Sequence, residues 1–210
     1  MKALIVAGGA PPRPELLSRI CEDCELCVAA DRGAEAFLAA GLVPDLLIGD
    51  LDSAAERTAD QIRALGAEVV KVPREKDETD LELAARTVFE RGAEDVVILG
   101  ATGGRVDHLL GNLAVLRWFR SRGVSAEIQD SMQSVRIVDG CGSFPAAPGE
   151  TVSILPAGEA ATVSASGLRY PLRELKLHSD TARGVSNVTT GDVFTLETRG
   201  PVFLVRSFSV

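Results

Sequence analysis

Acidic residues are grouped in three short segments in the first half of this 210-residue chain, 49–53, 76–80 and 100–108. Each segment follows an apolar run that is typical of a β-strand. Carboxylates brought together at strand ends repel one another unless a cation is present, and a hard divalent cation with oxygen ligands is usually paired with a phosphate substrate. The three segments therefore predict a nucleotide site that contains Mg²⁺.

The first segment, Gly-Asp-Leu-Asp-Ser, offers two carboxylates. Alternate residues of a strand share a face, so Asp50 and Asp52 point the same way if the strand continues through them. One oxygen from each would suit a Mg²⁺ ion at about 2.1 Å. A turn that ends the strand is the other interpretation, because Gly-Asp and Asp-Ser are common in turns. This segment alone leaves both interpretations open.

The second segment lies at the start of a predicted helix. Thr79 and Glu82 have the spacing of a capping box, and Asp80 lies where the helix dipole favours a negative charge. Ordinary helix capping would explain the acidic residues Asp77 and Asp80. The alternative is that they complete the metal site of the first segment and leave Lys76 to contact a phosphate.

The third segment begins with a glycine-rich loop, Gly-Ala-Thr-Gly-Gly-Arg, between a predicted strand and a predicted helix. Its backbone N–H groups and the helix N-terminus suit a phosphate, to which Arg105 would add charge-assisted hydrogen bonds. The loop matches neither GxxxxGK[ST] nor GxGxxG, and glycines that merely permit a tight turn are the alternative. Another strand end carries Asp31, which would accept a hydrogen bond from a ribose or a substrate hydroxyl, or else cap the next helix.

Composition limits the partners and the location. The formal net charge is −8 and 46% of the residues are hydrophobic, so the chain can bury a core but has no general positive field for nucleic acid or an anionic membrane. No apolar stretch reaches the roughly 18 residues of a membrane span, and the first residues favour a strand over a signal peptide. We therefore expect a cytoplasmic protein. Its CxxCxxC series, Cys21, Cys24 and Cys27, is interpreted as reduced thiols rather than as metal ligands.

Short apolar runs alternate with helical patterns over the first 130 residues. The runs are too uniformly apolar to be half exposed, which favours a mostly parallel sheet with helices on both faces. The predicted strands are 3–7, 26–30, 46–48, 69–72, 96–99 and 126–128, and the predicted helices are 14–20, 33–40, 54–65, 80–91 and 106–120. The last helix carries Val106, Leu109, Leu110, Leu113 and Leu116 at helical spacing, and its Trp118 is expected in the core. The fold class is an open α/β sheet, which binds ligands outside the carboxyl ends of its strands.

The pattern changes after residue 139. Residues 140–149 are rich in Gly and Pro and predict a domain boundary, and short β-prone runs follow at 151–155, 162–165, 193–197 and 202–206. We interpret the chain as an α/β nucleotide-binding catalytic domain, 1–139, and a small antiparallel β-sandwich domain, 140–210. A domain of about seventy residues has a small core, so the second domain is expected to pack against the first or against a second subunit.

Taken in order, these motifs resemble those of the thiamine pyrophosphokinase (thiamine diphosphokinase) family. Each is weak by itself, but the series is specific and covers nearly the whole chain. Its segments are Asp31-Arg32-Gly33-Ala34, Pro44-Asp45 with 49–53, then 76–80, 100–108, Gly167-Leu168-Arg169-Tyr170-Pro171-Leu172 and Gly184-Val185-Ser186-Asn187.

The resemblance implies a homodimer that binds thiamine where the subunits meet, through the second domain. It also implies that the β,γ-diphosphate of Mg-ATP passes to the thiamine hydroxyl, giving thiamine diphosphate and AMP. Catalytic roles fall to Asp50, Asp52, Asp77 and Asp107, the first three as Mg²⁺ ligands. Nucleotide contacts fall to Asp31, Lys76, Thr102, Gly103, Gly104, Arg105, His108 and Gln133, and substrate contacts to Asp80, Ser186 and Asn187.

Two positions depart from the family pattern. Val188 follows Ser186 and Asn187 where many relatives have an acidic residue, and Gln133 stands where relatives tend to have Asn. Two other functions are open: a non-catalytic thiamine or nucleotide sensor, and another metal-dependent nucleotide hydrolase or transferase on the same scaffold. A sensor does not need a full set of metal and phosphate residues, and simple hydrolysis gives no reason for segments 170–172 and 186–187.

Overall fold

The computed structural model describes residues 1–51 and 55–208. Contacts within the chain divide it into two compact units, Met1–Ser131 and Met132–Val210. The boundary expected from the sequence, between residues 139 and 140, falls inside a strand of the second unit. In the described part of the chain, no helix is both long and apolar enough to cross a membrane.

The first unit contains a six-stranded parallel sheet. Its strands are β1 (Lys2–Val6), β2 (Leu26–Ala30), β3 (Leu46–Gly49), β4 (Glu68–Lys71), β5 (Asp95–Leu99) and β6 (Ser125–Gln129). They lie in the order β6-β5-β1-β2-β3-β4, and every neighbouring pair is parallel. The chain runs outward from β1 to β4 and then returns to the other side of β1 with β5. The direction of winding therefore reverses between β1 and β5, which opens a crevice at the carboxyl ends of these strands.

Helices connect the strands at the predicted places. They are α1 (Pro14–Glu22), α2 (Gly33–Ala39), α3 (Ala55–Ala64), α4 (Asp80–Glu90) and α5 (Val106–Arg120). Helix α1 begins with Pro14, whose fixed φ suits the first helical position. Helix α4 begins after Thr79, whose hydroxyl accepts the Glu82 N–H at 3.1 Å. The predicted α/β fold class is confirmed.

The core of the first unit explains why its strands were easy to predict. All five residues of β2 are buried, because helices cover both faces of a central strand. On one face, Leu17 of α1, Phe37 of α2 and Ile62 of α3 form one cluster with Leu4 and Leu47 of the sheet. The burial of these five side chains fixes how the helices lie on the sheet.

Helix α5 has the predicted bounds, but part of its apolar pattern is exposed, and the expectation that Trp118 lies in the core was wrong. Val106 and Leu110, assigned to an apolar face, are 71% and 62% exposed. Trp118 is only half-buried and meets Phe89 edge to face, with ring centroids 5.5 Å apart. Helical spacing identifies a face of a helix, but it does not say whether anything in the same chain covers that face.

The second unit is an antiparallel β-sandwich, which confirms the predicted class. Its strands are β7 (Gln133–Pro145), β8 (Thr151–Pro156), β9 (Ala160–Ser166), β10 (Leu172–His178), β11 (Asn187–Val188) and β12 (Val193–Ser207). Strand β12 pairs with β7 along its length, with β9 through its first part and with β8 through its last part. Side chains of β8, β9, β10 and β12, among them Ile154, Val163, Leu177 and Phe194, form a single core.

Several features of this sandwich differ from the sequence prediction. Strands β7, β10 and β11 were not predicted, and the runs 193–197 and 202–206 belong to one strand rather than two. The register of β12 shifts between Thr198 and Val202, so the intervening Gly200 and Pro201 form an irregularity within the strand instead of a turn.

Candidate functional site

A cleft of about 550 Å³ opens at the carboxyl ends of β1, β2 and β5, where the winding of the sheet reverses. Open α/β sheets bind their ligands at this position. Most of the lining follows three strands: Ala7, Gly8 and Gly9 follow β1, Ala30, Asp31 and Arg32 lie at the end of β2, and Gly100, Ala101, Gly103, Gly104 and Arg105 follow β5. The rest comes from Thr79, Asp80 and Leu81 at the start of α4 and from His108 and Asn112 of α5.

Backbone hydrogen bonds hold the loops after β1 and β5 together. The Gly9 N–H donates to the Gly100 carbonyl at 2.8 Å, and the Ala10 N–H donates to the Thr102 carbonyl at 3.0 Å. Gly100 has a φ of +66°, and a Cβ placed there would lie 2.3 Å from the Ala7 carbonyl oxygen. A side chain at position 100 would therefore force the two loops apart, so glycine here sets the shape of the cleft.

Helix α5 begins directly after the second loop. Its N-cap residue, Arg105, makes no side-chain capping bond, and the first N–H groups of a helix have no acceptor within the helix. These donors and the positive end of the helix dipole favour an anion. Two bonds hold the loop in position: the Asn112 side-chain amide donates to the Ala101 carbonyl at 2.8 Å, and the Thr102 hydroxyl donates to the Asp130 carboxylate at 2.8 Å.

Arg105 and Asp107 form an exposed bidentate ion pair. The distance from Arg105 Nε to Asp107 Oδ1 is 3.1 Å and that from Nη2 to Oδ2 is 2.5 Å. The hydrogen bonds from Arg105 lower the pKa of Asp107, and the bond to Asp107 raises the pKa of Arg105. A phosphate that binds the guanidinium must therefore displace this carboxylate or share the guanidinium with it.

Two further carboxylates follow the neighbouring strands β2 and β3. Asp31 lines the cleft, and its N–H donates to the Ile48 carbonyl of β3 at 2.8 Å. Asp31 and Leu51 have φ values of 48° and 49°, in the left-handed region that non-glycine residues seldom occupy. Such backbone strain is concentrated at functional sites. The strained Leu51 directly follows Asp50. The Asp50 carboxylate is 4.0 Å from Arg74 Nε.

The segment before α4 is partly paired within itself. Lys76 Nζ lies 2.8 Å from Asp80 Oδ1, and their side chains are only 13% and 28% exposed. Asp80 lines the cleft, whereas Lys76 is not among the lining residues and is already paired with a carboxylate. Asp77 is exposed, and no hydrogen bond or ion pair links it to another described residue.

The carboxylates at this edge fit a magnesium ion in chemistry. Asp50 and Asp77 carry the hard oxygen donors that Mg²⁺ prefers, and among the residues that the structure describes no basic side chain lies closer than 4.0 Å to either. Within residues 1–51 and 55–208, no three His, Cys, Asp or Glu side chains form a ready-made metal group. Asp52, the third predicted ligand, lies outside the described residues.

The second unit has a pocket of its own, of about 490 Å³. Two segments singled out in the sequence form most of its wall. The lining residues are Tyr170, Pro171, Leu172, Arg173 and Leu175 from one side and Arg183, Gly184, Val185, Asn187 and Ile154 from the other.

Asn187 holds this wall together. Its side-chain N–H donates to the Tyr170 carbonyl at 2.7 Å, and its Oδ1 accepts the N–H groups of Tyr170 at 3.1 Å and Val188 at 2.9 Å. The residue is buried, whereas the neighbouring Ser186 is exposed and has a φ of 61°. The Asn187 amide is thus engaged with backbone, and the exposed Tyr170 and Val185 line the pocket, whereas Ser186 is exposed but does not.

The structure brings many, but not all, of the predicted site residues together. Asp31, Asp80, Gly103, Gly104, Arg105 and His108 line the cleft of the first unit. Asp50, Lys76, Asp77, Thr102 and Asp107 lie in adjoining segments outside that lining, and Gln133, Ser186 and Asn187 belong to the second unit.

Several lining residues were not predicted as site residues, among them Gly8, Gly9, Arg32 and Asn112. The pair Gly8 and Gly9 directly after β1 carried a usable signal, since the loop after β5 was identified by the same feature. No such signal in the sequence marks Asn112, because its hydrogen bond to the Ala101 carbonyl depends on how α5 packs beside the loop before it.

Comparison with known proteins gives a consistent result. The family model described as the catalytic domain of thiamin pyrophosphokinase matches residues 17–128, and the model described as its vitamin B1 binding domain matches residues 143–203. The chain is 28% identical over 194 residues to thiamine pyrophosphokinase of Bacillus subtilis (strain 168), with 87% of each chain covered. The crystal structure of a thiamine pyrophosphokinase from Bacillus subtilis is similar, with a TM-score of 0.89, 26% identity and full coverage of both chains. That of a thiamin pyrophosphokinase from Geobacillus thermodenitrificans has a TM-score of 0.81 and 29% identity, with 100% of this chain and 98% of the other covered.

Proposed function

The chain belongs to the thiamine pyrophosphokinase family and is a diphosphotransferase, and from this we propose that it transfers the β,γ-diphosphate of Mg-ATP to the thiamine hydroxyl, giving thiamine diphosphate and AMP. The observation that carries the proposal is the cleft between the loops after β1 and β5, where glycine backbone, a helix N-terminus and Arg105 share one wall. Diphosphoryl transfer requires little covalent help from protein, so positioning and charge neutralisation are what such a wall must supply.

The nucleotide is assigned to this cleft. The amides of Gly103 and Gly104 and the guanidinium of Arg105 would bind the polyphosphate and neutralise charge as the α,β-bridge is broken. Thr102 supports the loop through Asp130. The remaining proposed nucleotide contacts are Asp31, Lys76, His108 and Gln133.

The Mg²⁺ ion is assigned to Asp50, Asp52 and Asp77, which carry oxygen donors suited to it. When bound, the ion neutralises negative charge on the phosphate oxygens. Asp107 orients Arg105 through its bidentate ion pair, and Asp80, held by Lys76, is the proposed substrate contact on this side.

Thiamine is assigned to residues of the second unit. Ser186 is the proposed direct contact for the pyrimidine, since it is exposed and its chain neighbours Val185 and Asn187 both line the pocket. Asn187 contributes through Tyr170, whose backbone it holds at both its N–H and its carbonyl. The exposed Tyr170 ring offers a π-face to an aromatic or cationic ring of the ligand.

We also propose a cytoplasmic homodimer with thiamine bound where the subunits meet. All four cysteines are free thiols, as is usual in a reducing compartment. Val106 and Leu110, one turn apart on α5, form an exposed apolar pair of the kind that a partner covers. Light scattering should show a dimer for the unaltered chain and a folded monomer for Leu110→Glu; a dimer that survives this substitution would remove α5 from the interface.

The reaction is tested directly by mixing the purified chain with thiamine, ATP and Mg²⁺ and separating the products by chromatography. Thiamine diphosphate and AMP are expected in equal amounts, and chelation of the metal should stop both. ADP as the product would mean single phosphoryl transfer and overturn the assigned reaction. Binding without AMP would indicate a sensor, and AMP without thiamine diphosphate would indicate a hydrolase.

A further inference from the structure

Two thiols are in contact at the edge of the sheet opposite to the cleft. Cys21 lies in the last turn of α1 and Cys27 is the second residue of β2, near the amino end of that strand. Their sulfur atoms are 2.9 Å apart. Cys24 lies in the turn between them, and its thiol makes no hydrogen bond to another described residue. Cys141 is exposed in the second unit.

We propose that Cys21 and Cys27 are an oxidisable dithiol, which a peroxide converts into a disulfide that joins the end of α1 to the start of β2. A disulfide has an S–S length of about 2.05 Å, so the two sulfur atoms need to approach by only about 1 Å. The two residues lie on a helix and a strand of the same unit, so this proximity follows from the packing of these two elements.

The chemistry is a two-step oxidation. The Cys21 sulfur attacks one peroxide oxygen, the O–O bond breaks, and Cys21 becomes a sulfenic acid while the other oxygen leaves as water. The Cys27 sulfur then attacks the Cys21 sulfur, forming the S–S bond and releasing the second water. Two thiols are oxidised, and one hydrogen peroxide molecule is reduced to two waters.

The burial of the three thiols indicates which one reacts first. Cys21 is half-buried, whereas Cys27 is 4% exposed, so Cys21 is the thiol that a peroxide reaches. Burial raises the pKa of Cys27 far above its ordinary range and that of Cys24 to about 11. Thiolates are the nucleophiles, so Cys24 competes poorly, and Cys27 reacts as the resolving thiol because it is already in contact with Cys21.

The disulfide would stabilise the fold without altering the cleft. It closes a short loop across one crossover of the sheet, and the loss of unfolded-chain entropy should raise the melting temperature by about 5 °C. The cleft lies at the carboxyl ends of the strands, so turnover should be unchanged.

The test treats the reduced full-length chain with increasing hydrogen peroxide and follows intact mass, peptide cross-links and melting temperature. The expected product is about 2 Da lighter, carries a Cys21–Cys27 cross-link, melts at a higher temperature and reverts with dithiothreitol. Cys24→Ser and Cys141→Ser are matched controls that should still form it. Cys21→Ser and Cys27→Ala should not, and Cys21→Ser serves if Cys27→Ala fails to fold.

Three results would overturn the proposal. One is a cross-link between Cys21 and Cys24 in place of the expected pair. Another is stable oxygenation of Cys21 with no cross-link. The third is a chain in which Cys141 oxidises while Cys21 and Cys27 remain free thiols.

Discussion

The cleft of the first unit and the pocket of the second are built in opposite ways. In the cleft, backbone bonds such as that from Gly9 to Gly100 hold the loops, and the charged groups of Arg105 and Asp107 remain exposed. In the pocket, a buried side chain does the holding, since Asn187 makes its bonds to backbone. From this difference we expect each residue of a functional motif to play one of two roles, contact with a ligand or construction of the wall around it. Burial and bonding distinguish the two roles, and residue type does not.

The largest expected effect comes from an exposed carboxylate of the first unit. Asp77→Asn should lower turnover by about 100-fold or more, because it removes a charge proposed to hold the metal, whereas the melting temperature should be unchanged. Turnover and thermal melting measure the two effects. Glu75→Gln, a similar change at a neighbouring exposed residue, is the control and should retain full activity. A loss of stability without a loss of turnover would contradict the assignment.

Two glycines of the loop after β5 test whether backbone builds the cleft. Gly100→Ala places a methyl group against the Ala7 carbonyl in a left-handed backbone and should lower the free energy of unfolding by about 3 kcal/mol. Gly104→Ala has the same kind of backbone, with φ +74°, but meets nothing within 4 Å, so it should cost about 1 kcal/mol. Denaturant unfolding measures both variants. Equal losses would mean that close approach of the loops is unimportant.

Asn187→Ala tests the side-chain wall of the second unit. Loss of the bonds to Tyr170 and Val188 should lower the free energy of unfolding by about 2 kcal/mol and raise KM for thiamine more than it lowers kcat. Ser186→Ala should raise the same KM and leave unfolding unchanged, because Ser186 is exposed. Stability that is unaffected by Asn187→Ala would break the comparison between the two sites.

The smallest expected effect is a shift in the pKa of Asp107, which forms an exposed ion pair with Arg105. The pKa of Asp107 lies below its ordinary 3.8 because Arg105 donates hydrogen bonds to it, and in Arg105→Gln it should rise toward that value. Because the folded pKa is lowered, the Asp107 carboxylate contributes to folding stability at pH values above its unfolded pKa. This contribution is lost as the pH falls through the lower folded pKa. Carboxyl chemical shifts measured against pH should show the change; identical pKa values in both proteins would mean that the pair is absent in solution.

Sequence patterns predicted the first unit better than the second. Every strand and helix of the first unit was placed within a few residues, because strands buried on both faces produce apolar runs and helix starts carry local signals such as Thr79 with Glu82. From Val138 onward, strand β7 alternates half-buried and exposed positions and contains Gly140 and Gly142, so this part gave no apolar run. In β12, Gly200 and Pro201 have the composition of a turn, yet pairing with β7 resumes after them.

For the candidate sites, the residues after β2, β3 and β5 were predicted because strand ends are local features, and in a parallel sheet they share one edge. The hydrogen-bond partners that hold the walls of the two sites were not predicted. The bond between Asn112 and Ala101 and that between Asn187 and Tyr170 join positions 11 and 17 residues apart.

The amino-acid sequence by itself determined the fold class and which chemical groups follow each strand, since both arise from periodicity and from short motifs. Only the tertiary structure decided that Asn187 supports a wall, that Val106 and Leu110 remain exposed, and that the Cys21 and Cys27 sulfur atoms lie in contact. The physical reason is that burial and hydrogen bonding depend on distances between segments, which the order of residues along the chain does not contain.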